Sequence, residues 1–216
     1  MRLLLRAVTS GFFTASLKPL FFVGIDPGKA GFFAAVSADG EVLWTAAMPM
    51  RVEKKIVKRK KGKGKRIKQV KHYDLPALWL LANRLRGGVV LLERQQAYPG
   101  EGAVSNFSTG YGYGLLKAML TAANVPFEEI TSSVWKTQYG VAFERGEPKP
   151  EDRNERTKAT KARAVARAAD VFPGVDLRRT KRSKVPCSDN AEALLIADFN
   201  RRTYESRRQQ RVVRPA

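Results

Sequence analysis

FFVGIDPGKAGFFAAV, Phe21 to Val36, is the stretch around which the chain is organised. An apolar run, Phe21 to Ile25, ends in a carboxylate, Asp26. Pro27 and Gly28 make a turn, and a second apolar run, Phe32 to Val36, leaves from Gly31. Short apolar runs bounded by turn residues predict buried strands. A lone carboxylate delivered by a buried strand is costly unless it is paired or holds a metal. Alternatively, Asp26 opens an ordinary Asp-Pro turn.

Downstream, Glu41 to Met48 predicts a third strand, joined to the second by a turn at Ala38, Asp39 and Gly40. These strands begin an antiparallel sheet. Asp74 to Arg86 has helical spacing, with Asp74 as N-cap and Gly87 as the stop. Val89 to Leu92 is fully apolar, the pattern of a central strand, and it ends in Glu93. The opening device therefore recurs: a buried strand with an acid at its C-terminal end.

Gln95 to Gly114 is polar, glycine-rich and aromatic, and is expected to lead into a helix over Leu115 to Asn124. A strand is expected over Val125 to Ile130 and a short helix over Ser132 to Tyr139. Gly140 to Arg156 reads as a loop. Helices follow over Thr157 to Phe172, with Ala162, Val165, Ala166, Ala169 and Phe172 on one side, and over Asp189 to Tyr204. Strands alternating with helices predict an α/β architecture with a mixed sheet.

Charge narrows the function. The chain has 216 residues, with 40 Lys and Arg against 20 Asp and Glu, a formal net charge of +20. Such an excess points to a polyanionic partner, nucleic acid first. Arg51 to His72 concentrates it, with Glu53 as the one acid. This segment is expected to be a solvated basic insertion whose Lys58, Arg59, Lys60, Lys61, Lys63, Lys65 and Arg66 contact phosphates. Arg179, Lys181 and Arg182, in a second basic loop, are further phosphate candidates. Residues 205–216 form a basic tail. No apolar run is long enough to span a membrane. One cysteine, Cys187, fits a reducing compartment.

Residues 1–20 carry Arg2, Arg6 and Lys18 and no acid. They read as a flexible extension or a transit peptide. The expected location is the cytoplasm of a bacterium or phage-infected host, or a mitochondrion or chloroplast if the extension is a transit peptide.

The acids carry the chemistry. Asp189 and Glu192 lie three apart at the start of the last helix, on one face. The D-x-x-E pattern is also that of a helix capping box. If the Asp26 and Glu93 strands are neighbours, both acids reach one edge of the sheet, where the helix adds two more. Four such acids repel unless cations join them, and oxygen ligands favour hard divalent ions. Two such ions can activate a water and stabilise the leaving oxygen of a phosphodiester.

GIDPGKAG (24–31), VVLLERQQAYPG (89–100), SNFSTGYGYG (105–114), TSSVWKTQYG (131–140) and DNAEALLIADF (189–199), in this order, resemble the motifs of RuvC-like Holliday junction resolvases. These belong to the ribonuclease H-like superfamily. The AEALLIA and GYGYG runs are similar to the chloroplast and phage types. The resemblance covers roughly Phe21 to Tyr204 and implies a ribonuclease H-like mixed five-stranded sheet flanked by helices. It implies a crossover junction endodeoxyribonuclease: a Mg²⁺- or Mn²⁺-dependent homodimer that nicks two symmetric strands of a four-way DNA junction, with two ions per site and no small-molecule cofactor. By position, Asp26, Glu93, Asp189 and Glu192 match the metal-binding acids, and Lys136 matches a basic residue near the scissile phosphate. Bacterial RuvC usually ends in D-x-x-D; Glu192 departs from that pattern.

Phe107, Tyr111 and Tyr113, interleaved with Gly110, Gly112 and Gly114, are expected either to stack on opened bases or to serve helix packing or a dimer interface. The rival functions are a related nuclease acting on flaps, forks or hybrids, and a basic nucleic-acid-binding protein without catalysis. An actin-like ATPase, which also begins with GIDPG, needs a longer chain and a second phosphate loop.

Overall fold

The computed structural model describes residues 21–58, 64–97 and 100–213. The readings of residues 1–20 and of Arg59, Lys60, Lys61 and Lys63 lie outside the described residues. The chain runs β1 (Phe22–Asp26), β2 (Phe32–Val36), β3 (Val42–Ala47), β4 (Met50–Lys58), β5 (Lys65–Tyr73), α1 (Leu75–Arg84), β6 (Val89–Glu93), α2 (Ala103–Ala122), β7 (Phe127–Ile130), α3 (Ser132–Gln138), α4 (Arg153–Val171) and α5 (Ser188–Val213).

The main sheet has five strands in the order β3-β2-β1-β6-β7. β1 pairs antiparallel with β2 and parallel with β6, and β6 pairs parallel with β7. The mixed five-stranded sheet expected from the resemblance is therefore present. β1 is its central strand, and β1, β6 and β7 end at one edge. In register, Ile25 faces Leu92, so Asp26 and Glu93 emerge side by side.

Alternation along the strands sets the layers. Val23, Ile25, Val90 and Leu92 pack with Leu78, Ala82, Leu116 and Leu120 of α1 and α2. Phe22 and Leu91 point the other way, to a core with Trp135 of α3, Ala164 and Ala168 of α4, and Leu194 to Ala197 of α5. Asp26 and Glu93 have the parity of Phe22 and Leu91. They therefore open toward α5.

Asn190 to Asn200 of α5 is buried throughout, sandwiched between β1 and α4. Gly24 allows this approach: a Cβ there would collide with the Ala193 carbonyl oxygen and the Ala197 nitrogen. At the far end, the Asn200 amide donates to the Val23 (3.0 Å) and Val89 (2.7 Å) carbonyl oxygens, tying β1 and β6 to the helix.

Several sequence-based expectations are corrected. The described residues of the basic insertion over Arg51 to His72 pair as a two-stranded antiparallel ribbon, β4 with β5, strands that the charge-dominated composition does not predict. Val52, Ile56 and Ile67 fall on one face of the ribbon among the lysines. Residues 103–114 are helical, so the Gly-aromatic segment is the first half of α2 rather than a lead-in. Gly112 is needed there because the Tyr73 hydroxyl lies where its Cβ would be. The last helix runs to Val213, through most of the segment read as a tail. α4 starts at Arg153, where Asp152 accepts from the Asn154 and Glu155 amides. Its buried residues are Ala164 and Ala168, with Phe172 at its end; Ala162, Ala166 and Ala169 are exposed.

Candidate metal centre

Three carboxylates meet at the C-terminal edge of the sheet. Asp26 from β1, Glu93 from β6 and Glu192 from α5 each place an oxygen so that all three lie within 4.8 Å of one another. Glu93 and Glu192 are buried and Asp26 is partly buried. The parity of two adjacent parallel strands sets the first pair, and the α5 crossing over β1 sets the third.

Burial, and then the Glu192, Glu93 and Asp189 carboxylates, push the Asp26 carboxyl well above its ordinary range, while Lys136 acts the other way. Burial also raises Glu93, from an ordinary 4.5 to about 7. There Lys136 opposes the rise, Glu192 adds to it, and a hydrogen bond from Trp135 opposes it. Groups whose surroundings disfavour their charged form, gathered at one point, make this edge a candidate functional site. An oxygen-only donor set around a concentrated negative charge suits a hard divalent cation such as Mg²⁺ or Mn²⁺.

Lys136 comes from α3, directly after the β7 edge strand. Its Nζ lies 3.2 Å from Glu192. Burial disfavours its ammonium, but the nearby Glu192, Glu93 and Asp26 outweigh that and hold its pKa above the ordinary value. The sequence-predicted lysine is thus charged and inside the cluster.

Asp189 is not in that group. Its carboxylate accepts from Arg179 (3.2 Å) and Lys161 (3.4 Å) at the start of α5, near enough to add to the field on Asp26. Asp198 is a structural acid. It is buried and accepts from Arg201, Arg202 and the Tyr139 hydroxyl.

Two partners of the site escaped the sequence reading. The Trp135 indole, fully buried, donates to Glu93 at 3.0 Å. It stands in the quoted VWK motif, but nothing in the pattern couples it to an acid 42 positions away. Lys161 on α4 lies 3.4 Å from Asp189, a contact that depends on how α4 packs on α5 and that helical spacing alone does not predict.

The nucleic-acid candidates divide. Lys65 and Arg66 are exposed on β5, and Lys181 and Arg182 are exposed in their loop. Arg179 is engaged: beside Asp189, it donates to the Ala30 carbonyl oxygen and lies over the Phe32 ring. Phe107 and Tyr111 are 76% and 53% exposed on α2. Tyr113 turns inward, its hydroxyl donating to Glu129 at 2.5 Å. Lys58 ends β4. His72, the single histidine, pairs with Glu53 on the ribbon (3.2 Å).

No protein-family profile matches the chain, and no curated protein matches it. Among solved structures, the chain is similar to Thermus thermophilus RuvC, with 17% identity over 85% of this chain and 96% of that one, at a TM-score of 0.42. It is also similar to T. thermophilus RuvC in complex with Holliday junction substrate, with 14% identity, the same coverage and a TM-score of 0.43.

Proposed function

We propose that this protein is a metal-dependent endonuclease that nicks branched DNA, with four-way junctions as its substrate. The observation that carries the reading is the meeting of Asp26, Glu93 and Glu192 beside Lys136, in a chain of net charge +20. The ordered motif resemblance adds the junction specificity. In this reading Asp26, Glu93 and Glu192 hold Mg²⁺ or Mn²⁺, and Asp189, one turn earlier on α5, completes the ligand set for a two-ion site. Bound there, the ions would activate a water nucleophile and offset charge on the leaving oxygen.

The protein's own groups do the rest. Trp135 orients the Glu93 carboxylate through its indole N–H and favours the ionised form. The Lys136 ammonium, held charged by the acids, faces the phosphate and offsets charge that grows in the transition state. Exposed lysines and arginines supply affinity for the backbone. A homodimer would place two such sites on symmetric strands of one junction. Sedimentation of the protein alone and with a junction tests that stoichiometry.

A non-catalytic nucleic-acid binder has no need to collect three acids in a basic chain, and their convergence favours the nuclease. The deciding experiment offers a mobile four-way junction, a flap and an RNA–DNA hybrid in Mg²⁺, with the wild type and Asp26→Asn. Paired symmetric nicks in the junction alone, lost in Asp26→Asn with binding retained, are expected. Preferred cleavage of the flap or hybrid assigns a different substrate, and equal cleavage by Asp26→Asn removes the metal-centre reading.

A further inference from the structure

The β4–β5 ribbon is built for more than diffuse charge. Each strand has 9 residues, so the ribbon is about 30 Å long. Its base is held by Met50 and Tyr73, which pack into the core on the α1–α2 side of the sheet. Beyond that base, every residue from Arg51 to Ile56 and from Lys65 to Gln69 is exposed. An isolated two-stranded ribbon is marginally stable in water. One this long, carrying bare isoleucines, calls for a partner.

The register defines its faces. Val52 opposes Lys71, Lys54 opposes Gln69, and Ile56 opposes Ile67. These six residues share one face. Ile56 and Ile67 are 71% and 68% exposed and Val52 is 49% exposed, so this face carries a bare isoleucine pair toward the tip, with Lys54 and Lys71 on opposite strands on its base side. The other face carries Lys55, Arg66 and Lys68, with the one acid, Glu53, occupied by Lys55 (3.5 Å) and His72 (3.2 Å). An apolar cross-strand pair with a cation on each of the two strands beside it complements a groove of duplex DNA, whose floor presents base edges and whose walls are phosphates. A two-stranded ribbon fits the major groove, about 12 Å wide, and aliphatic side chains there meet thymine methyl groups.

We infer that the β4–β5 ribbon is a duplex-binding arm that lies in the major groove of a DNA arm, with Ile56 and Ile67 on the groove floor and Lys54 and Lys71 on its walls. This rests on the DNA reading given above and adds where, and how, the duplex is held away from the metal centre.

The test uses the full chain in EDTA with a 30-base-pair duplex probe, and compares wild type, Ile56→Ser/Ile67→Ser and Lys54→Ala/Lys71→Ala. Circular dichroism confirms folding of each variant. The serine variant is expected to bind about tenfold more weakly with the salt dependence unchanged, because it loses apolar contact alone. The alanine variant is expected to lower the slope of log K against log salt by about 1.8. Glucosylated hydroxymethylcytosine, which fills the major groove, is expected to erase the difference between wild type and the serine variant, while netropsin in the minor groove leaves it. Wild-type affinity in the serine variant overturns the inference. So does a changed oligomeric state at equal DNA affinity, or erasure by netropsin instead. Nicking of a saturating junction by the ribbon variants and by Asp26→Asn is scored separately, so a failed arm and a failed metal centre are told apart.

Discussion

The raised Glu93 carboxyl makes stability depend on pH in a way that a divalent ion should reverse. Glu93 is 7% exposed, and its pKa rises from 4.5 to about 7 on folding. Between those values the folded state binds more protons than the unfolded chain, so stability falls as pH rises through that window. Above it the full cost applies, about 3 kcal/mol from Glu93 alone. Asp26, shifted the same way, adds to it. For a chain of this length, each kcal/mol moves Tm by roughly 2–4 °C. The metal-free protein should therefore melt about 6–12 °C lower at pH 8 than it would without this cost. A cation that binds the ionised carboxylates stabilises the folded state alone. Melting in EDTA and in 10 mM Mg²⁺ or Mn²⁺, at pH 5 and pH 8, is the assay. The metal should raise Tm at pH 8 and leave it nearly unchanged at pH 5. Net charge also varies with pH, so Glu93→Gln is the control: it should raise the metal-free Tm at pH 8 and shrink the metal response. The reasoning is refuted if Glu93→Gln shows the wild-type pH dependence and the wild-type metal shift.

Trp135→Phe removes the indole donor to Glu93 while keeping most of the buried ring. It should weaken Mn²⁺ binding about 10–100-fold at pH 7 by calorimetry, the usual cost of losing a partner behind a ligand. Asp198→Ala leaves Arg201, Arg202 and the Tyr139 hydroxyl without their acceptor. It should cost about 3–5 kcal/mol in urea unfolding and leave Mn²⁺ affinity of the folded fraction unchanged, which separates this buried acid from the site acids on the same helix. Gly24→Val forces β1 away from the α5 backbone; a loss of about 3 kcal/mol or more is expected in the same assay, and near-wild-type stability would contradict the packing described.

Much of the site was legible because strand and helix ends carry chemistry that burial punishes. Asp26 and Glu93 each follow an uninterrupted apolar strand, and strand parity puts both on one face once β1 and β6 are neighbours. Glu192 was legible from its place at the start of an apolar helix, but equally readable as a capping box. Only the α5 crossing, permitted by Gly24, brings it to the strand acids. Asp189 shares the D-x-x-E pattern yet lies with Arg179 and Lys161, because those cations arrive from segments that the local pattern does not relate to it. The strand pairing within the basic insertion was missed because lysines dominate its composition and mask the spacing that puts Val52, Ile56 and Ile67 on one face. The first half of α2 was misread because each of three glycines costs a helix about 1 kcal/mol. Packing against Tyr73 outweighs that at Gly112, and such a contact is invisible in local sequence.

The most direct test of the metal centre is anomalous diffraction from crystals soaked in Mn²⁺ at a concentration that supports cleavage. An ion bound directly to the carboxylate oxygens of Asp26, Glu93 and Glu192 is the expected result. No anomalous peak among those three residues, or a peak only elsewhere on the protein, would contradict the account.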